Sequence, residues 1–280
     1  PSMVKCPRIA IRHYPMRVQG ALAWVWMGSE EAMLRLPAPP ATPWLEAGAD
    51  WAYATGHYDL FGNWILMAEN LMDLTHIPFL HQASFNFPKA FAQAPVKLEI
   101  SGDRLSYYRD NPPNYQRSGF LPTEASEAIE AAGFQARSTV RFVSPALTHG
   151  GGRFVLDRPG AGAQPTYEWQ VIHFTTPITD RETKYWYFFA RNYSLDDRAL
   201  TEKLKTMIVN GFEEDRVAIE LVQVMHEKDT HDYREVHFKS DAPSVAMRRI
   251  VAGMARREAE ARRSPANASS IDQIEQIAAE

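Results

Sequence analysis

Hydrophobic and polar residues alternate along several stretches of the chain, and this pattern predicts β-strands. Residues 9–28 predict a hairpin with a turn at Gln19-Gly20, and residues 51–61 predict one strand rich in aromatic side chains. Residues 96–109 predict a second hairpin with Gly102-Asp103 in its turn. Four more strands are predicted at residues 136–145, 151–158, 166–179 and 183–194.

Apolar residues recur at helical spacing between and after these strands. The predicted helices span residues 63–81, 123–133, 200–228 and 240–263. Residues 29–50, rich in proline, alanine and acidic side chains, predict a linker. A mainly antiparallel sheet with helices at its ends indicates the α+β class.

The predicted helix at residues 63–81 is apolar on most sides but has polar residues on one side. Asn70, Asp73 and His76 follow one another at steps of three. Pro78 disfavours helical backbone before it, so we expect the chain to bend there and bring His81 back towards His76. Two histidines and one carboxylate form the usual triad of mononuclear non-haem Fe(II) sites, although a lone histidine pair also occurs by chance.

A carboxylate in the predicted helix at 200–228 is a candidate for the third ligand. Asp215 fills the vacant position of the apolar stripe, whereas Glu213 and Glu214 are predicted to point away from it. The stripe consists of Leu204, Ile208, Phe212, Ile219 and Val222. An ionised carboxylate that faces the core needs a cation, which could be a metal or a buried arginine.

Composition excludes several classes of protein. The chain has 30 basic and 34 acidic residues, a net charge of −4, which gives no electrostatic basis for binding nucleic acid. It contains no apolar run of about 18 residues, so no membrane span is predicted, and its start does not look like a secretory leader. A single cysteine, Cys6, excludes an internal disulfide and suits the cytoplasm.

The string E-N-L-M-D-L-T-H-I-P-F-L-H resembles the iron-site motif E-N-x-x-D-x-x-H-x4-H of the Rieske-type aromatic-ring oxygenases, and is especially similar to vanillate and dicamba O-demethylases. E-D-R-V-A-I-E resembles their E-D-x-x-x-x-E segment. The resemblance implies a START-like helix-grip domain in which His76, His81 and Asp215 bind Fe(II). It also implies that Asp73 connects this site to the iron-sulfur cluster of a neighbouring subunit, across the subunit interface. We expect Asn70 to tune access to the iron.

Residues 12–28, R-H-Y-P-M-R-V-Q-G-A-L-A-W-V-W-M-G, resemble the end of a Rieske domain. The resemblance therefore implies a division into residues 1–35, the end of that domain, and residues 36–280, the catalytic domain. A [2Fe–2S] Rieske cluster needs two cysteines and two histidines. The 280 residues contain only Cys6 and lack the C-x-H and C-x2-H motifs, so we expect the cluster-binding part to lie upstream.

The resemblance implies a terminal oxygenase that acts on an aromatic acid by O-demethylation or hydroxylation. Such a system uses O2 and electrons from NAD(P)H, delivered through a ferredoxin or flavin reductase, and its oxygenase is a head-to-tail homotrimer. Hydroxylation of a methoxy carbon gives a hemiacetal that collapses to a phenol and formaldehyde. Two alternatives are cis-dihydroxylation at the same iron and a non-catalytic helix-grip domain that binds an apolar ligand.

His173 is a candidate contact for the substrate. It lies in V-I-H-F-T-T-P-I-T, which resembles the T-H-x-x-T-P-E-T strand of the demethylases, with Ile178 in place of the glutamate. The alternative is a structural histidine bonded to the backbone of a neighbouring strand. His57, which has only its predicted strand in its favour, is assigned to packing or hydrogen bonding.

Overall fold

The computed structural model describes residues 13–28, 30–46, 48, 50–111, 120, 123–160, 164–229 and 235–263. The chain divides into two compact units, Pro1–Trp51 and Ala52–Glu280. The boundary between the two units lies after residue 51, whereas the sequence resemblance predicted a domain boundary after residue 35.

The first unit contains the predicted hairpin. Strand β1 (Met16–Gln19) pairs antiparallel with β2 (Leu22–Val25). Gly20, in the turn, has a φ of +57°, and a Cβ there would lie 2.3 Å from the carbonyl oxygen of Leu45. The predicted linker also contains a short helix, α1 (Glu30–Arg35), and a 3-10 helix at Pro43–Leu45.

The second unit is built on a seven-stranded antiparallel sheet, which confirms the predicted α+β class. Its strands are β3 (Ala52–Leu60), β4 (Lys97–Ser101), β5 (Arg104–Asp110), β6 (Phe134–Ser144), β7 (Leu147–Leu156), β8 (Thr166–Pro177) and β9 (Thr183–Arg191). Their spatial order is β3-β9-β8-β7-β6-β5-β4. Each predicted strand is present, because alternation of apolar and polar residues gives the sheet one buried face.

The helices of this unit cover one face of the sheet. They are α2 (Trp64–Met72), α3 (Ile77–Leu80), α4 (Ala90–Gln93), α5 (Thr123–Ala132), α6 (Arg198–Lys228) and α7 (Ala242–Arg263), with 3-10 helices at Leu74–His76 and Lys239–Asp241. Helix α6 packs on β3 and α2, and α7 packs on α2 and β5. None of the described helices combines the length and the apolar character that a membrane crossing requires.

The predicted helix at residues 63–81 is interrupted at Asp73, so the predicted bend at Pro78 is wrong. Asp73 has an extended backbone (φ −118°, ψ 99°), and its carboxylate accepts hydrogen bonds from the Thr75 amide at 2.8 Å and hydroxyl at 2.7 Å. Ile77 is helical (φ −50°, ψ −49°). Pro78 lies in the first turn of α3, where a missing N–H is tolerated. The capping aspartate therefore ends the first helix.

The buried stripe of α6 follows the prediction as far as Ile219. Val222 does not continue it, since this side chain is 43% exposed. Gln223 is buried instead, and its side-chain oxygen accepts a hydrogen bond of 2.9 Å from the Asn63 amide. Gln223 follows Ile219 by four residues, about one helical turn, so it continues the buried stripe on the same side of α6.

Gly211 in α6 allows a close contact that alanine would not. A Cβ at this position would lie 2.2 Å from Cζ of the buried Phe85. Alanine is intrinsically better than glycine in a helix by about 1 kcal/mol, but overpacking of a core costs about 1–3 kcal/mol. We therefore expect Gly211→Ala to lower the free energy of unfolding by up to about 2 kcal/mol in denaturant titrations.

Gly253 in α7 provides the matched control for this prediction. The nearest atom to a Cβ there is the flexible guanidinium of Arg257, at 3.3 Å. Gly253→Ala is expected to stabilise the protein by about 0.5–1 kcal/mol through helix propensity alone. Equal stabilisation by both substitutions would show that Phe85 does not pack against Gly211.

Candidate metal centre

His76 lies at the end of the 3-10 helix that follows Asp73. Its Nδ1 is 2.6 Å from the main-chain carbonyl oxygen of Asp73. A carbonyl can only accept a hydrogen bond, so Nδ1 carries the proton and donates. The neutral ring then presents an unprotonated Nε2. The contact between these two residues therefore involves the Asp73 backbone, whereas the Asp73 carboxylate bonds Thr75.

His81 follows α3 and is buried, with 1% of its surface exposed. Its Nδ1 is 2.7 Å from Oε2 of Glu214. The Ser84 hydroxyl donates to the same carboxylate oxygen, also at 2.7 Å. A carboxylate fixes the imidazole with Nδ1–H as donor, so the neutral ring again presents an unprotonated Nε2.

Asp215 brings a carboxylate from α6 to both of these ring nitrogens. Its Oδ1 lies 3.1 Å from His81 Nε2 and 3.4 Å from His76 Nε2. Asp215 is only 3% exposed, and among the described residues its Oδ1 has no hydrogen-bond donor. One ligand atom from each of the three residues lies within 4.8 Å of the other two.

This arrangement fits a cation. Both Nδ1 atoms already donate elsewhere, so two imidazole lone pairs and one anionic oxygen converge on the same point. Such groups repel one another unless a positive charge lies between them. Two neutral imidazoles and one carboxylate are the ligands of the facial triad that holds non-haem Fe(II).

Burial and the neighbouring carboxylates affect the two histidines differently. Burial lowers the pKa of His76, although Asp215 opposes that change. Burial also acts to lower the pKa of His81, but the contacts with Asp215 and Glu214 outweigh it and raise this pKa. In the absence of a metal, His81 is therefore the imidazole that holds a proton more readily.

A cavity of about 100 Å³ adjoins the three residues. Most of its lining residues are apolar, and six of them are aromatic. The aromatic side chains are Phe85, Phe87, Phe91, Phe120, Trp169 and Phe212. Apart from the triad, the polar lining residues are Asn70, Ser138 and His173, and the described part of the lining has no lysine or arginine. The cavity therefore suits a flat apolar ring with few hydrogen bonds.

The other predicted site residues lie in different places around the centre. Asn70 lines the cavity. Asp73 instead lines a neighbouring cleft, together with His76 and Arg248. His173 lines the cavity, and its Nδ1 is 2.6 Å from the Tyr185 hydroxyl, so its partner on the neighbouring strand is a side chain. Burial lowers the pKa of His173 to about 3, which keeps the ring neutral.

Sequence reasoning missed Glu214, which was predicted to point away from the core stripe. Its side chain is 29% exposed, and it reaches back to His81 from the edge of that stripe. Chemistry could have indicated Glu214. A buried histidine that binds a metal needs a hydrogen-bond acceptor for its second ring nitrogen, and Glu214 directly precedes the proposed ligand Asp215. Tyr185 was also missed, because nothing in its sequence context distinguishes it from the neighbouring aromatic residues.

Comparison with known proteins gives consistent matches. Residues 61–257 match the family described as the vanillate O-demethylase oxygenase C-terminal domain. A vanillate O-demethylase oxygenase subunit of Pseudomonas sp. (strain ATCC 19151) is 31% identical over 227 residues, which are 76% of this chain and 65% of that protein. The iron-sulfur subunit of the toluene-4-sulfonate monooxygenase system of Comamonas testosteroni is 26% identical over 228 residues, 79% of this chain and 63% of that protein.

A solved structure agrees with the fold. Dicamba monooxygenase bound to 3,6-dichlorosalicylic acid has a TM-score of 0.73 at 19% identity, over 88% of this chain and 71% of that chain. The chain thus spans slightly less than two thirds of the length of the relatives named above. The family match covers well over half of the 280 residues. The chain therefore belongs to the vanillate O-demethylase oxygenase family, the Rieske-type oxygenases that its iron-site motif resembles.

Proposed function

We propose that this chain is the catalytic part of a terminal oxygenase that O-demethylates or hydroxylates an aromatic acid. The observation that carries the proposal is the convergence of two imidazole nitrogens and one buried carboxylate oxygen beside an aromatic-lined cavity. The family match and the names of the relatives support demethylation or monooxygenation over cis-dihydroxylation. The buried triad argues against a module that only binds an apolar ligand.

His76, His81 and Asp215 are the proposed ligands of a mononuclear Fe(II) ion. When bound, Fe(II) would supply the redox chemistry that activates O2. The chain supplies the geometry: the Asp73 carbonyl orients His76, Glu214 and Ser84 orient His81, and α6 places Asp215 between the two rings. Orientation of ligands before metal binds reduces the free-energy cost of forming the site.

The cavity has the proposed role of holding the substrate next to the triad. Its aromatic wall excludes water and stacks on a flat ring, while the imidazole of His173 binds a polar substituent. Asn70 lies on the same wall, where it is proposed to tune access. Hydroxylation of a substrate methoxy carbon gives a hemiacetal, and its collapse releases formaldehyde and a phenol.

The proposal is tested by formaldehyde release from methoxylated aromatic acids. The assay needs a longer protein that contains a cluster-binding part, because the present chain has only Cys6. With a reductase and NADH, substrates should stimulate NADH oxidation and release formaldehyde, whereas residues 1–280 with reductase alone should not turn over. A metal-free protein after anaerobic reconstitution with Fe(II), or no oxidation product from any aromatic acid, would contradict the proposal.

The proposed system includes a [2Fe–2S] cluster domain, a ferredoxin or flavin reductase and a head-to-tail homotrimer. The iron-sulfur subunit named among the relatives supports the cluster, and the trimer and the cytoplasmic location stay predictions. Asp73 lines a cleft beside His76, where we place contact with the cluster domain of a neighbouring subunit.

Asp73→Asn in the longer protein should slow turnover while it leaves the iron content unchanged. Asparagine keeps an oxygen that can accept from Thr75, so the local fold persists, but it removes the negative charge. Turnover and iron content are measured on the same preparation. Unchanged turnover would remove the Asp73 carboxylate from the proposed contact.

Glu214→Ala should weaken Fe(II) binding by about 10–100-fold, the usual cost of removing the partner of a histidine ligand. The loss follows because His81 would no longer be held with Nε2 towards the centre. Glu214→Gln retains an acceptor oxygen and should lose less affinity. The measurement is an anaerobic Fe(II) titration.

Glu213→Ala is the matched control for Glu214→Ala. Glu213 is the preceding residue on the same helix, but its side chain is 52% exposed and bonds Arg216. This variant should bind Fe(II) as tightly as the wild type. Wild-type affinity in Glu214→Ala as well would mean that Glu214 does not position His81.

A further inference from the structure

We infer that Tyr185 fixes the tautomer of His173, so that this imidazole presents an N–H donor to the cavity and selects substrates with an acceptor oxygen there. The assignment of the tautomer depends only on contacts within this chain. The identification of the ligand as an aromatic acid rests on the proposed function.

His173 and Tyr185 lie on the adjacent strands β8 and β9. In the register of β8 and β9, Tyr185 is opposite Thr175, two residues after His173, so the pair is diagonal on the same face of the sheet. The Tyr185 oxygen is 2.6 Å from His173 Nδ1, and the rings lie nearly parallel with their centroids 6.0 Å apart. Tyr185 is fully buried and His173 is 8% exposed.

The direction of this hydrogen bond is set by the tyrosine. Among the described residues, the only hydrogen-bond partner of the Tyr185 hydroxyl is His173 Nδ1. The neighbouring Tyr58 ring is 4.8 Å away by centroid, but its hydroxyl has no hydrogen bond within the described part of the chain. If Nδ1 donated instead, the buried hydroxyl hydrogen of Tyr185 would have no acceptor. Tyr185 therefore donates to Nδ1.

The second ring nitrogen must then carry the proton. Burial lowers the pKa of His173 to about 3, so the ring is neutral and has a single N–H. Burial also raises the pKa of Tyr185 well above its usual value, which keeps the phenol protonated. With Nδ1 occupied as acceptor, the proton lies on Nε2.

A fixed N–H donor in an otherwise apolar wall discriminates between substituents. His173 lines the cavity, and no other described residue bonds its Nε2. A carboxylate, sulfonate, carbonyl or ether oxygen can accept this hydrogen, whereas an ammonium or a hydrogen-bond donor alone cannot. In the proposed reaction, Tyr185 is thus a positioning residue that acts through His173.

The tautomer is measured directly by ¹⁵N NMR on histidine-labelled chain loaded with Zn²⁺, which is diamagnetic. His173→Gln assigns the signals of His173 among the nine histidines. The wild type should show an unprotonated Nδ1 and a protonated Nε2. A protonated Nδ1 in the wild type would overturn the inference, and this outcome does not depend on whether the protein is an oxygenase.

Substrate discrimination is measured with Tyr185→Phe in the longer protein, with a methoxybenzoic acid and its primary amide. Phenylalanine removes the hydroxyl that donates to Nδ1 of His173. The tautomer with its proton on Nε2 then becomes only one of two populated forms. We expect KM for the acid to rise roughly two- to tenfold. The amide, which can pair with either tautomer, should change less.

Tyr58→Phe is the control, since it keeps the ring that packs against Tyr185 and removes a buried hydroxyl that bonds neither Tyr185 nor His173. Its acid-to-amide ratio should equal that of the wild type. The same ratio in Tyr185→Phe as in the wild type would overturn the inference. If neither substrate is turned over, ligand affinities measured by titration replace KM, so that a failure of the proposed function is distinguished from a failure of the inference.

Discussion

The His81→Ala variant is expected to lose stoichiometric binding of Fe(II). Its Nε2 is one of three ligand atoms that converge within 4.8 Å, and the ring is buried behind α6. Removal of an orienting partner already weakens a metal site about 10–100-fold, so removal of a ligand should weaken it by more than about a hundredfold. Anaerobic Fe(II) titration measures this loss, and His76→Ala and Asp215→Ala should behave alike.

His57→Ala is the control for the loss of an imidazole as such. His57 is exposed on β3, where it stacks on Trp186 with centroids 4.4 Å apart, in agreement with its assignment to packing. The variant should bind Fe(II) as the wild type does. Wild-type affinity in His81→Ala, with folding verified by circular dichroism, would mean that the triad assignment is wrong.

Local patterns in the sequence were sufficient for most of the fold. The alternation along β6 to β9 is visible because one face of each strand packs on helices, and strand periodicity reports that face directly. Asp215 could be identified for a similar reason. A carboxylate at a buried position of a regular helix stands out, and the structure leaves it 3% exposed.

The details that were wrong depend on competition between local interactions. Pro78 and Asp73 both could end the helix, and sequence gives no direct comparison of their free energies. The Asp73 carboxylate makes two hydrogen bonds to Thr75, while Pro78 fits the first turn of α3 without losing one. The helix therefore breaks five residues earlier than predicted.

The details that were missed depend on tertiary contacts. Glu214 lies at the edge of the buried stripe, so its direction along the helix did not reveal that His81 comes within 2.7 Å from another part of the chain. Tyr185 meets His173 across two strands whose register is set by the whole sheet. Neither partner can be inferred from spacing. Glu214 is 133 residues from His81, and the contact between Tyr185 and His173 depends on the register of β8 and β9, which no periodicity encodes.

His173→Ala is expected to raise KM for an aromatic acid by roughly ten- to a hundredfold, since a hydrogen bond to a charged group contributes about 1.5–3 kcal/mol. The imidazole lines the cavity, and it is neutral because burial lowers its pKa to about 3. An N–H donor bonds more strongly to a carboxylate than to a neutral amide. KM for the amide should therefore rise less than KM for the acid.

Stability alone does not decide the role of His173. The alanine variant also leaves the buried Tyr185 hydroxyl without its 2.6 Å partner, which should cost about 1–3 kcal/mol and lower the Tm even if substrate never touches the ring. The ratio of KM for acid and amide separates the two roles. A substrate contact changes this ratio, and His173→Gln, which keeps an N–H donor, should restore part of it. Equal increases for acid and amide, with a lowered Tm, would leave His173 a purely structural residue.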